Sequence, residues 1–333
     1  MILVTGGTGL VGSHLLLRLA ENGAAVRSLY RTEESLQNTR NVFAYHGKPQ
    51  LFDTIQWAKG DILDVPSLEI AFQGIEQVYH SAAFVSLDPK DEEILRKVNI
   101  EGTANMVNCA LAFGVKKFCH VSSIAALGDV LNPGDVITEE TEWNPEKRHD
   151  DYAISKYGAE MEVWRAWQEG LNTVVVNPGI IFGPCFWHHG SSKIIKAVKR
   201  GQLFYTKGIC GFTGVDDVVQ SMIALMQTDI SGERFTIVSE NLTYQEVLNI
   251  IANALGKKHP SVAASRLLTS FGWRADWVVS KLFRKDRALT RNMARSAHAQ
   301  ETYSTEKLHK ALTQYSFSDL RSLLNELSQH YLT

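Results

Sequence analysis

The chain opens on a short apolar run, Ile2-Leu3-Val4-Thr5, and its first half alternates such runs with amphipathic stretches. Runs rich in β-branched and aromatic residues predict strands at 2–5, 25–30, 55–59, 77–81, 117–122 and 173–176. Apolar positions three and four apart predict helices at 10–22, 66–72, 92–113 and 152–168. Strands alternating with helices call for parallel pairing through right-handed crossovers. The expected fold class is therefore α/β, a doubly wound parallel sheet.

The pattern changes after Asn177-Pro178. Pro178, Gly179, Gly183, Pro184 and Gly190 punctuate a loop-rich segment, and helical spacing dominates from Thr243 onward. The run 234–238 reads as a strand returning to the main sheet. The expected organisation is a sheet domain of residues 1–176, rejoined by 215–238, and a smaller, mainly helical domain built from 177–214 and 239–333. Within the latter, 262–283 is strongly apolar but interrupted by Arg266, Arg274, Asp276 and Lys281. It predicts an amphipathic helix used for packing, a dimer contact or a lid, and no membrane span.

Composition narrows the class. Hydrophobic residues make up 44% and charged residues 21%, as in a soluble globular enzyme. A net charge of -2 provides no basic surface for nucleic acid, and the cluster Arg284, Lys285, Arg287, Arg291 and Arg295 reads as a solvated helical face. Cys109, Cys119, Cys185 and Cys210 lack CxxC spacing, which fits a reducing compartment and no zinc site. Adjacent His188 and His189 point in different directions and suit a loop better than a metal, so no metal is expected. A strand directly after Met1, with no basic region before it, is unlike a signal peptide; the expected location is cytoplasmic.

The first candidate chemistry is Thr5-Gly6-Gly7-Thr8-Gly9-Leu10-Val11-Gly12, between a strand and a helix. Gly6, Gly9 and Gly12 allow a tight turn, close approach to a pyrophosphate and close helix–strand packing, while the helix N-terminus offers free N–H groups. A dinucleotide cofactor is expected there. The second strand ends Val26-Arg27-Ser28-Leu29-Tyr30-Arg31, with no acid before Glu33. Arg31, with Arg27 as a weaker candidate, suits the 2′-phosphate of NADP, which is favoured over NAD.

Tyr152 and Lys156 stand four residues apart, on one face of a helix. A phenol with a pKa near 10 needs a neighbouring ammonium to exchange protons at neutral pH. The strand before this helix ends in Ser122-Ser123, where a hydroxyl can hold a carbonyl oxygen. Tyr303 and Lys307 repeat the spacing in the helical tail and are taken as a decoy. His80 and His120, on strands, read as satisfied core residues. Asp150 reads as a helix N-cap, with His149 beside it as a candidate substrate contact.

In order, TGGTGLVG at 5, GDILD at 60, HSAA at 80, VSSIAALG at 121, YAISK at 152, NPGIIFGP at 177 and GVDDVV at 214 resemble the extended short-chain dehydrogenase/reductase family over nearly the whole chain. The resemblance implies a Rossmann fold with Ser123, Tyr152 and Lys156 as catalytic residues and Asn99 near the active site. It implies that Asp61 and Ile62 flank the adenine, that Ala82 and Ala83 line the cofactor channel, that Lys156 contacts the nicotinamide ribose, and that Pro178 lies beside the nicotinamide. Asp216 and Asp217 match an acidic pair expected to cap the following helix. Helices 92–113 and 152–168 are those such proteins use in a four-helix homodimer interface.

Two branches compete. VRSLYR and NPGIIFGP resemble the dihydroflavonol and cinnamoyl reductases. The segment before GVDDVV lacks a cation after Lys207, and no R-P-x-D occurs, so the arginines expected for a nucleotide-sugar epimerase are missing. Phe84, Trp143, Ile180, Phe186, Trp187, Tyr205 and Phe212 form an expected apolar substrate wall, of which Phe84, Ile180 and Trp187 are the foremost candidates. The expected activity is reduction of a carbonyl in a bulky apolar small molecule. Alternatives are a nucleotide-sugar epimerase with bound NAD and a non-catalytic NADP-binding sensor or scaffold.

Overall fold

The computed structural model describes residues 1–132, 134–187, 190–283, 287 and 289–331. His188, His189, Arg284 and Lys285 lie outside the described residues. Strands β1 (Ile2–Thr5), β2 (Val26–Tyr30), β3 (Gln56–Lys59), β4 (Gln77–His80), β5 (Lys117–Val121), β6 (Thr173–Pro178) and β7 (Glu233–Ile237) form one sheet in the order β7-β6-β5-β4-β1-β2-β3. Every pairing in it is parallel. All five residues of β5 are buried, as a parallel strand covered on both faces requires.

Alternate side chains feed two layers. Val4, Cys119, Val174 and Phe235 pack against α1 (Leu10–Glu21), α2 (Leu36–Tyr45) and α6 (Val215–Met226). Leu3, Val78, Phe118 and Val175 pack against α3 (Val65–Phe72), α4 (Gly102–Ala112) and α5 (Asp151–Gln168). From β3 the chain crosses back to the far side of β1 to lay down β4. That reversal opens a crevice beyond the carboxyl ends of β1 and β4, where such sheets take ligands.

A smaller sheet of Ile180–Phe182, Ile209–Gly214 and Glu240–Thr243 sits beside this body. Helices Ser192–Lys199, Tyr244–Ala254 and α8 (Leu320–His330) close over it on a core of Phe182, Ile195, Phe212, Ile251 and Leu324. The α8 helix also returns to α2: the Tyr45 hydroxyl donates to Glu326 at 3.1 Å, and its ring meets His330 at 4.7 Å.

Four local expectations give way. The helix expected over 92–113 is broken into Glu92–Leu95, a π-helical turn at Arg96–Glu101, and α4. The wide turn sets Asn99 inward, 1% exposed, where its side chain bonds Phe84. Tyr303 lies in no helix; Thr302–Tyr303 is a strand paired with Val136–Ile137, because a buried ring there fills the cluster of Ile124, Leu127 and Val238. Asp216 and Asp217 do not cap α6, whose N-cap is Gly214 without a side-chain bond. Asp217 instead accepts from Ser318 N and Oγ, both at 2.9 Å, and from Ser239 at 3.0 Å, tying the C-terminal segment to α6. The 262–283 helix starts later, as α7 (Arg266–Phe283), after a strand at Val262–Ala263, and none of its residues is buried. Its apolar residues Leu267, Phe271 and Leu282 are therefore not spent on packing.

Candidate active site

The turn after β1 is built by close approach. Gly6 has φ +71°, and a Cβ on it would stand 2.6 Å from Ala82 N. A Cβ on Gly12 would stand 2.1 Å from Gly6 O, so α1 can lie against β1 only with glycine there. Gly9 differs: its Cβ would meet only Gly6 O, at 3.3 Å, leaving its outer side open. Gly9 is the N-cap of α1 with no side-chain cap and no acid in the first turn. An uncapped helix start flanked by Thr8, Leu10 and Val11 fits a pyrophosphate, whose oxygens would take the free N–H groups.

Around this turn stand the other expected cofactor residues. Ala82 and Ala83 follow β4, with Ala82 N 3.4 Å from Thr5 Oγ1. Asp61 follows β3 and accepts from Leu63 N at 3.0 Å, while Ile62 is buried against Gly102. Arg31 is exposed just past β2 and makes no hydrogen bond or ion pair among the described residues. Arg27 is committed elsewhere, donating to the carbonyls of Ala71 at 2.7 Å and Gln73 at 2.9 Å.

Beyond β5, Ser123 caps a short helical turn by accepting from Ala125 N at 3.1 Å. Asp150 does cap α5, accepting from Ala153 N at 2.8 Å, and so sets where Tyr152 and Lys156 emerge. Burial raises the Tyr152 phenol above its ordinary value; the adjacent Ser123 hydroxyl works against that shift. Lys156 is 2% exposed and donates to Val121 O at 2.8 Å, with no hydrogen bond to the phenol. Burial lowers its pKa to about 8, with the Glu160 carboxylate acting in the opposite sense.

Asn99 joins the two sides of the crevice. Its amide bonds both backbone groups of Phe84, at 2.8 and 2.9 Å, and donates to Ser155 at 2.9 Å; Ser155 in turn donates to Tyr152 O. Pro178 ends β6 opposite Ile237. Ile180 and Phe84 are half-buried, whereas Phe186 and Phe212 belong to the core. Trp187 packs its ring on His330 and Tyr331 at 6.0 and 5.3 Å, serving the seat of α8. Trp143 stacks on His149 at 3.8 Å, and His149 is held by Asn144 O and Asp129.

His80 is satisfied by Thr5 at 2.7 Å and Thr103 at 3.0 Å. His120 is not: both ring nitrogens are buried without partners, with the His80 ring 5.3 Å away.

One group escaped the sequence pattern. Glu160, 0% exposed, accepts from Asn177 Nδ2 at 2.5 Å and pairs with Arg234 at 3.2 Å; Asn177 Nδ2 also donates to Ser123 O at 2.9 Å. Burial raises the carboxyl, and Arg234 foremost opposes the rise. The available signal was its position, four residues after Lys156 on the same helical face.

Fold, glycine cradle and crevice together define a dinucleotide-dependent enzyme, and the comparisons name its kind. Residues 2–238 match the NAD dependent epimerase/dehydratase family, and the chain belongs to that family. It is 31% identical to a putative dihydroflavonol 4-reductase of Synechocystis sp., over 84% of this chain and 80% of that one. It is also 31% identical to the sterol demethylase protein B of Methylococcus capsulatus, over 78% and 76%. Among solved structures, that of gox2253 superposes with a TM-score of 0.82 at 26% identity, covering 100% of this chain and 98% of that one.

Proposed function

We propose that this protein is an NADP-dependent reductase of a carbonyl group in a bulky apolar molecule. The observation that carries the reading is the Ser123 hydroxyl beside the Tyr152 phenol just beyond β5, with Lys156 anchored on Val121 O at the end of the same strand. The relatives' names, a dihydroflavonol reductase and a sterol demethylase protein, support an apolar ring compound as substrate. Arg31, exposed and uncommitted, supports NADP.

The cofactor would be held by the 6–12 turn, Arg31, Asp61, Ile62, Ala82, Ala83 and Pro178, and when bound it supplies the hydride. Ser123 holds the substrate oxygen, and Tyr152 delivers a proton to it. Lys156, protonated at neutral pH, stabilises the phenolate left behind. Asn99 fixes Phe84 and the start of α5 relative to each other, and Phe84 and Ile180 offer apolar contact. The cofactor domain comprises 1–176 with 215–238, the remainder serving substrate. A homodimer through α4 and α5 accompanies this reading.

The test is NADPH consumption by the purified protein against bulky apolar aldehydes and ketones, with NADH in parallel. Turnover preferring NADPH supports the reading. Silence there, with interconversion of nucleotide sugars and no net cofactor use, would replace it with an epimerase.

A further inference from the structure

Helix α7 carries its amphipathic pattern inside out. Its half-buried side is polar or small but for Trp273: Thr269 meets His298 at 2.9 Å, and Asp276 accepts from Leu289 N at 3.2 Å. On the opposite side Leu267, Phe271, Val278 and Leu282 recur at helical spacing and are 74%, 72%, 55% and 73% exposed. Leu203 and Phe204 are exposed as well, and Phe204 pairs with Val262, four residues before α7. An exposed apolar stripe of this kind marks a binding face.

Charge indicates what covers it. Residues 257–295 contain ten lysines and arginines against two aspartates, in a chain of net charge -2. Arg266, Arg274 and Lys281 are exposed along one flank of the apolar stripe. A second copy docked antiparallel across this stripe about a two-fold axis would set these cations against their own equivalents, whereas an anionic surface would pair with them in any orientation. No helix among the described residues is long and apolar enough to cross a membrane.

We infer that α7 is an interfacial helix that seats this protein on an anionic phospholipid bilayer, its apolar stripe among the acyl chains and its flanking cations at the headgroups. The seat is tied to the crevice: Thr290, just beyond α7, donates to Leu87 O at 2.8 Å, in the loop that Phe84 begins. A substrate dissolved in the bilayer would thus meet the protein near the mouth of its site. The inference is read by binding alone and stands whether or not the reductase assignment does.

The experiment is flotation of the purified full chain with phosphatidylcholine vesicles, with and without phosphatidylglycerol. Recovery with the anionic vesicles only, and release by high salt, is expected. The double variant Arg274→Glu/Lys281→Glu should partition about tenfold or more weakly. Phe271→Ser/Leu282→Ser should detach the protein with its melting temperature unchanged, since neither side chain is buried. Protein left unbound by anionic vesicles, bound equally by neutral ones, or bound despite both double variants would overturn the inference. So would a concentration-dependent dimer that Phe271→Ser/Leu282→Ser dissolves, which would assign the face to a second copy.

Discussion

The Lys156 ammonium sits 2.8 Å from the backbone oxygen of Val121, sealed beneath the start of the Ser122-Ser123 segment. Burial holds its pKa at about 8, against 10.5 in the open chain. The proposed reaction needs the charged form, so turnover in carbonyl reduction should fall as pH rises through about 8 and not near 10.5. Stability runs the other way. A depressed folded pKa contributes stability that is fully present above 10.5 and lost as pH falls through about 8. Glu160 supports the charge, so Glu160→Gln should move the alkaline limb of the kcat profile to lower pH. A limb that stays in place would show that Glu160 does not act on Lys156.

The two tyrosines should separate cleanly. Tyr152→Phe should lower kcat by about 10²–10⁴-fold with cofactor affinity unchanged. Tyr303→Phe removes a hydroxyl that donates to Glu301 at 2.8 Å and bonds none of Ser123, Tyr152 and Lys156. It should cost about 1 kcal/mol in denaturant melts and leave kcat intact. The reverse outcome would exchange their roles.

The glycine turn offers a contrast between fold and ligand. Gly12→Ala drives a methyl into the Gly6 carbonyl and should lower both the melting temperature and cofactor affinity. Gly9→Ala points a methyl to the open side and should weaken cofactor binding with little loss of stability. Calorimetry and cofactor titration of both variants check the pair; equal thermal loss would mean Gly9 is structural too.

Arg31→Asp should weaken NADPH binding at least tenfold and leave NADH nearly unaffected, as fluorescence titration would show. A parallel loss for both cofactors would remove Arg31 from the 2′-phosphate.

All seven strands of the main sheet were legible because buried parallel strands are written as local runs of β-branched and aromatic residues. Helix α2 was missed: its sequence, LQNTRNVFAY, buries only Leu36, Thr39, Val42 and Phe43, too few for a clear stripe. The π turn at Arg96–Glu101 was invisible because what accompanies it, the bonding of Asn99 to Phe84, is a tertiary contact. That Ser123 follows β5, and that Tyr152 and Lys156 share the first turns of α5, could be read from spacing and strand order. The Glu160–Asn177–Arg234 link could not, since its members lie on three separate elements and meet only when the sheet closes. Periodicity also announced the two-faced character of α7, but not that its apolar face would turn outward.

The contact between Tyr45 and Glu326 spans 281 residues. At ordinary synthesis rates the ribosome needs roughly 14–56 s to make that interval. Throughout it the Tyr45 hydroxyl lacks this partner, however early the first strands pair. The packing of α2 in a nascent chain is therefore finished only long after its own synthesis.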